Sequence, residues 1–424
     1  MNTVTTGELT PGISLTCVSS EKFKTGCFSV NLVTGLDRES ASATALLPRV
    51  LRRGTEKLQD IEKIAAALDE LYGSYSEPVI RKKGEMQCIG FFADFPDRRH
   101  LPGGVDTLKE VAAITRDLLL APDTQGGCLR TDYTASEKTN LIDDIRASIN
   151  DKRGYAIDRL IEEMCAGEVY AVQKLGSESE AEAITPQSLT QRYKDLIAGS
   201  AVKFFYCGSE EPSRVSAALG EAFSGLAPRP GATIPPTSVL LAPPVSPPRR
   251  FTESLDVTQG KLTVGFRLGA AMESPDYNTM TIFNAIYGGS VTSKLFLNVR
   301  ERLSLCYYAS SFIDKHKGIM LVSSGVEFAN FDKALDEILA QLDNIKKGDV
   351  SEAELLAAKR IAVTGVKSAM DRPSGLEELY FDSSVSAVHY DPEKLCENIE
   401  AVTIDDVVEF ASGIETDSIY CLRD

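Results

Sequence analysis

Four glycines recur at one spacing. Gly26, Gly35, Gly54 and Gly84 stand 234 residues before Gly260, Gly269, Gly288 and Gly318, and the pairs Leu71/Leu305 and Met86/Met320 keep that offset. The strings around them agree in kind. GCFSVNLVTG and GKLTVGFRLG both read as strands, and KKGEM and HKGIM both join two strands. Paired helical patterns follow, over 108–120 in the first half and 331–345 in the second. Between the halves, residues 228–248 hold eight of the chain's 19 prolines. Proline at that density removes donors and fixes φ, so neither a helix nor a central strand can form there. The expected fold class is α+β. It comprises two homologous domains, residues 1–227 and 250–424, each an antiparallel β-sheet packed against helices, joined by a Pro-rich linker over 228–249.

Composition excludes several functions. A net charge of −16 opposes nucleic acid, whose backbone demands a basic footprint. No apolar run is long enough to span a bilayer. The first residues lack a basic segment followed by an apolar core, so no secretion signal is expected and a cytoplasmic protein follows. The nine cysteines are odd in number, scattered and without a C-x-x-C, which reads as reduced core thiols.

Common catalytic motifs are missing. There is no G-x-S-x-G elbow, no G-x-G-x-x-G and no P-loop. The three histidines, His100, His316 and His389, lie far apart, and none has a partner at helical spacing. His316 near Cys306 is a formal nucleophile–base pair with no evident orienting group.

The densest chemistry lies in YGGSVTSKLFLNVRERLSLCYYASSF, from Tyr287 to Phe312. A glycine pair precedes a helical pattern over 293–302, with Leu295 and Val299 on one face, and a strand follows over 305–312. Arg300 ends the helix and Tyr307 begins the strand, so the two can point into one cleft. Arginine offers a fork of donors and tyrosine a hydroxyl, which suits a peptide carbonyl or a developing oxyanion. By residue type alone, Arg300 reads equally as a solvated helix end and Tyr307 as strand packing.

Gly288, Gly289, Ser293, Lys294, Leu295, Phe296, Val299, Arg300, Glu301, Arg302, Leu305 and Tyr307 match, in order, a pattern that resembles the C-terminal signature of the insulinase/pitrilysin zinc peptidases. The resemblance implies a pitrilysin-type fold of two similar halves, with Arg300 and Tyr307 as substrate-binding residues opposite a zinc site.

In active members of that family an H-x-x-E-H motif supplies two zinc ligands and a general base, just before a glycine resembling Gly54. Here the matching positions hold Ala45, Leu46, Leu47, Pro48 and Arg49. Alanine cannot ligate, proline replaces the base and is expected to bend the helix, and Arg49 sets a cation where a dication would sit. The third ligand aligns with Asp144. The resemblance therefore implies a non-catalytic subunit that carries no metal of its own. A homologous catalytic partner would bring H-x-x-E-H and zinc, and a peptide would be the substrate. A bacterial subgroup linked to modification of elongation factor P is also similar. The alternative is a scaffold or peptide-binding homodimer with no part in proteolysis.

Overall fold

A computed structural model describes residues 3–386, 388–389 and 391–424. Two compact units emerge. The first contains Met1–Arg146, Val172–Pro236 and Ala369–Val385, and the second Ala147–Ala171, Thr237–Ser368 and Ser386–Asp424.

The first unit is built on six strands: β1 Thr3–Thr10, β2 Ile13–Ser19, β3 Thr25–Gly35, β4 Tyr75–Lys83, β5 Met86–Pro96 and β8 Ala201–Gly208. The short β6 Thr124–Gln125 and β7 Cys128–Leu129 form a separate ribbon. The sheet order is β1-β2-β8-β3-β5-β4. All neighbours are antiparallel except β2 and β8. β3 alternates as its sequence demands. Phe28, Val30 and Leu32 enter one layer with Leu46, Val50 and Val111 from helices, while Cys27 and Val33 enter the other face.

The second unit repeats the plan with five strands: β9 Arg249–Ser254, β10 Gly260–Arg267, β11 Cys306–Asp314, β12 Ile319–Val326 and β13 Glu415–Arg423. Their order is β11-β12-β10-β13-β9, and β13 with β9 is the parallel pair. Read from β9, it matches β2-β8-β3-β5-β4. The 234-residue offset is therefore a repeat of topology, with β1 as an addition. Gly84 and Gly318 occupy the same hairpin, at φ of 56° and 68°. That conformation favours glycine, and at Gly318 a Cβ would lie 2.4 Å from the Ala270 carbonyl oxygen. Gly54 and Gly288 follow corresponding helices, Ala41–Leu51 and Tyr277–Tyr287.

The units depart from a single cut over 228–249 in two places. Helix Pro373–Ser386, from the second half of the chain, covers the open face of the first sheet. Leu376 and Tyr380 pack on Val18, Cys27 and Phe205, while Phe381 and Val385 pack on Val33 and Cys88. Those four side chains contribute roughly 6–12 kcal/mol of apolar burial before ordering entropy is subtracted. Glu377 of this helix accepts from Ser29 Oγ at 2.8 Å and from both terminal nitrogens of Arg81 at 2.9 and 2.8 Å. Helix Lys152–Met164, from the first half, covers the second sheet in the same way, with Ala156, Leu160 and Met164 against Ile319, Leu321, Tyr420 and Leu422. Beyond it, Glu168 takes Arg267 and Lys317 at 2.6 Å each, and both cations are fully buried. The physical reason for the exchange is that both faces of each sheet are apolar and need a layer.

Asp60 caps helix Ile61–Glu70 by accepting from the Lys63 N–H at 2.8 Å. Ser351 and Glu354 form a reciprocal capping box. Helix Ala41–Leu51 runs through Pro48, which sits in its last turn, and the Arg52 N–H still reaches the Pro48 carbonyl at 3.1 Å.

Candidate functional site

Two constellations carry the functional question, one in each unit. In the first, Ala45 and Pro48 are buried on helix Ala41–Leu51. Pro48 adjoins a gap of about 10 Å³ lined by Leu32, Leu51, Ile89, Phe91 and Leu119. That space is apolar and too small for an ordered water with polar partners. Arg49 leaves the opposite side and donates from Nη1 to Asp144 Oδ2 at 2.7 Å. One turn later Arg53 Nη1 donates to Glu137 Oε1, also at 2.7 Å. Asp144 and Glu137 lie seven residues apart on helix Thr131–Ala147, which places them on one face. Two rungs of ion pairing thus join these helices. The residues do not fit a zinc ion: one position has no donor atom, one is proline, and the third is a cation already holding the carboxylate. Among the described residues no three His, Cys, Asp or Glu side chains form a group able to hold a metal.

The second constellation surrounds the Arg/Tyr signature. Gly288 and Gly289 end helix Tyr277–Tyr287, and a π-helical stretch, Leu295–Arg302, follows. Leu295 and Val299 are fully buried and anchor it, so Arg300 projects from the other side. The Arg300 guanidinium rests over the Phe296 ring, 4.7 Å from its centroid. Glu301 approaches it at 3.6 Å. A cavity of about 240 Å³ opens here, lined by Arg300, Phe296, Gly288, Gly289, Tyr308 and Arg153 among others.

Tyr307 is not in that lining. It sits on a β-bulge, where Cys306 faces Val326 and Tyr308 faces the adjacent Gly325, and its side of the strand is 63% exposed. The structure therefore brings Arg300 and Tyr308 to one cavity and leaves Tyr307 offered to solvent beside it. Tyr308 lies under Arg153, whose guanidinium is 4.5 Å from the ring centroid and donates to Ser310 Oγ at 2.8 Å. The Tyr308 hydroxyl is buried towards Ser323; burial pushes the phenol's pKa up, and the Ser323 hydroxyl works against that rise. Arg153 and Tyr308 are the residues that reading the sequence did not find. Arg153 lies 147 residues before Arg300 and carries no motif. The Tyr307-Tyr308 pair is ambiguous until the bulge sets the register.

The histidines offer no base. His316 is buried with Nδ1 3.0 Å from Ser386 Oγ, and Cys306 is held above its ordinary pKa by burial. Cys207, the cross-strand neighbour of Cys27, is pushed up to about 12 by burial, as inert core thiols are. No helix among the described residues is long and apolar enough to cross a membrane.

Comparison with known proteins agrees with this picture. Residues 183–362 match the model of the peptidase M16 inactive domain. The chain is 31% identical over 412 residues to a probable inactive metalloprotease, YmfF, of Bacillus subtilis, covering 97% of this chain and 96% of that one. Among solved structures, a conserved protein from Enterococcus faecalis aligns with a TM-score of 0.89 at 25% identity, over 99% of this chain and 98% of the other. A protease from Helicobacter pylori shares the fold at a TM-score of 0.85 and 15% identity, over the whole of both chains.

Proposed function

The chain belongs to the insulinase/pitrilysin (M16) peptidase family as an inactive-type member, and from that premise we propose that it is the substrate-binding, non-catalytic subunit of a two-chain zinc peptidase. The observation that carries this reading is one of contrast. Arg49 and Asp144, which the sequence resemblance aligns with metal positions, form an ion pair, while Arg300 lines an open cavity with Tyr307 exposed beside it. A homologous partner with H-x-x-E-H would bring the zinc. This chain would bring two donors to a peptide carbonyl, stabilising negative charge that grows on its oxygen as the bond is attacked.

The test is to isolate the chain with such a partner and measure peptide hydrolysis. Arg300→Ala and Tyr307→Phe are each expected to lower the rate by about 100-fold or more, the usual loss for one donor of this kind. Unchanged hydrolysis in both variants sinks the reading and leaves the scaffold or homodimer alternative.

A further inference from the structure

The cavity beside Arg300 has a charge that the chain as a whole does not. The molecule carries −16, yet the cavity lining contains Arg153 and Arg300 and no carboxylate. Among the described residues no acidic side chain pairs with Arg153. The nearest candidate, Asp151, is engaged elsewhere, accepting from the N–H groups of Arg153 and Gly154 at 3.1 Å each. Arg300 has only the exposed Glu301 of its own helix, at 3.6 Å. Both guanidiniums are nonetheless held in place, one by the Tyr308 ring and Ser310, the other by the Phe296 ring. Arg153, fixed against an aromatic ring with no acidic partner among the described residues, is preorganised for an anion, and Arg300 has only a loose, exposed pair to give up.

Close packing within the chain requires the two glycines of the floor. A Cβ on Gly288 would lie 2.6 Å from Ser311 Oγ, and one on Gly289 2.6 Å from Asn284 Nδ2. The volume of about 240 Å³ admits a side chain of glutamate size or a chain terminus. Arginine's planar fork matches a carboxylate in two parallel hydrogen bonds.

We propose that this cavity is a carboxylate subsite, in which Arg153 selects peptides bearing an acidic side chain or a free C-terminus. Arg153 comes from the exchanged helix Lys152–Met164, so the first half of the sequence sets the specificity of a site in the second unit. The proposal deepens the subunit reading by naming a substrate class. It is measured by binding to this chain alone, so either can fail without the other.

The experiment is fluorescence anisotropy of labelled peptides on the full-length chain. Peptide pairs differ only in glutamate against glutamine, or in a free against an amidated C-terminus. The carboxylate member of at least one pair is expected to bind about 10- to 100-fold tighter, the range for a charge-assisted bond. The pair that responds identifies which carboxylate is read. Arg153→Gln is expected to erase the difference between the members of the responding pair, and Arg153→Lys to keep part of it. Circular dichroism of each variant checks that it folds. Equal binding within both pairs, no measurable binding of any peptide, or a preference that survives in a folded Arg153→Gln variant each overturns the proposal.

Discussion

Arg49 and Asp144 close on one another at 2.7 Å between two helices, with side chains 20% and 56% exposed. The resemblance read from the sequence aligns both with metal-ligand positions of the family's active members. The pair is a bridge at the surface, and such bridges contribute at most about 1 kcal/mol. Its interest is geometric: two positions expected from the sequence to correspond to metal ligands are joined in one frame.

That frame makes a prediction. Positions 45 and 49 are one helical turn apart, the spacing at which two imidazoles share an ion. The variant Ala45→His/Arg49→His, with Asp144 retained, is expected to bind about one equivalent of zinc. The unaltered chain is expected to retain none after dialysis. Elemental analysis of both decides it, and stoichiometric zinc in the unaltered chain contradicts the ligand argument.

Glu377 supports a second prediction, about stability. Its side chain is 1% exposed, and among the described residues it is the carboxylate that hydrogen-bonds Arg81, which is itself largely buried. Glu377→Ala would strand that cation and the Ser29 hydroxyl. The expected cost is about 3–5 kcal/mol, read as a lower denaturant midpoint. Glu221→Ala, which removes an exposed partner of Lys109, is expected to cost under about 0.5 kcal/mol. Equal losses in the two variants would count against the buried network.

A third concerns pH. Burial raises the Asp94 carboxyl to about 6, only partly offset by the Thr25 hydroxyl. The native state then holds a proton that the unfolded chain, at an ordinary carboxylate pKa, has released. The contribution is full below about pH 4 and is lost as pH rises through 6. Asp94→Asn is expected to flatten stability across that window. At neutral pH it should gain about 1 kcal/mol, a figure reduced for the solvent reaching this partly exposed group. Chemical denaturation at a series of pH values measures it, and a loss of stability at pH 7 would be the wrong sign.

Much of this architecture can be read from the chain. The glycine offset anticipated the repeated strand order, and Phe28, Val30 and Leu32 announced the inner face of β3 by period alone. The unfitness of Ala45, Pro48 and Arg49 for zinc was legible because none of the three is a zinc-ligating residue type. Three things were not. Helix Lys152–Met164 is amphipathic whereas Pro373–Ser386 has hardly any apolar face by period, and in neither does a local signal say which sheet the helix will cover. The bulge at Tyr307 inserts one residue into the pairing, and a slip of one turns every later side chain to the other face. Arg153 looks like any charged residue in a first helical turn until Tyr308 and Ser310 are found beneath it.

The exchanged helices have a genetic consequence. A gene cut in the proline-rich stretch would yield two polypeptides, each missing the lid that its own sheet requires and carrying the lid that the other lacks. Such fragments could mature only together, by mutual completion. The two halves of this molecule descend as one heritable object, however modular their ancestry.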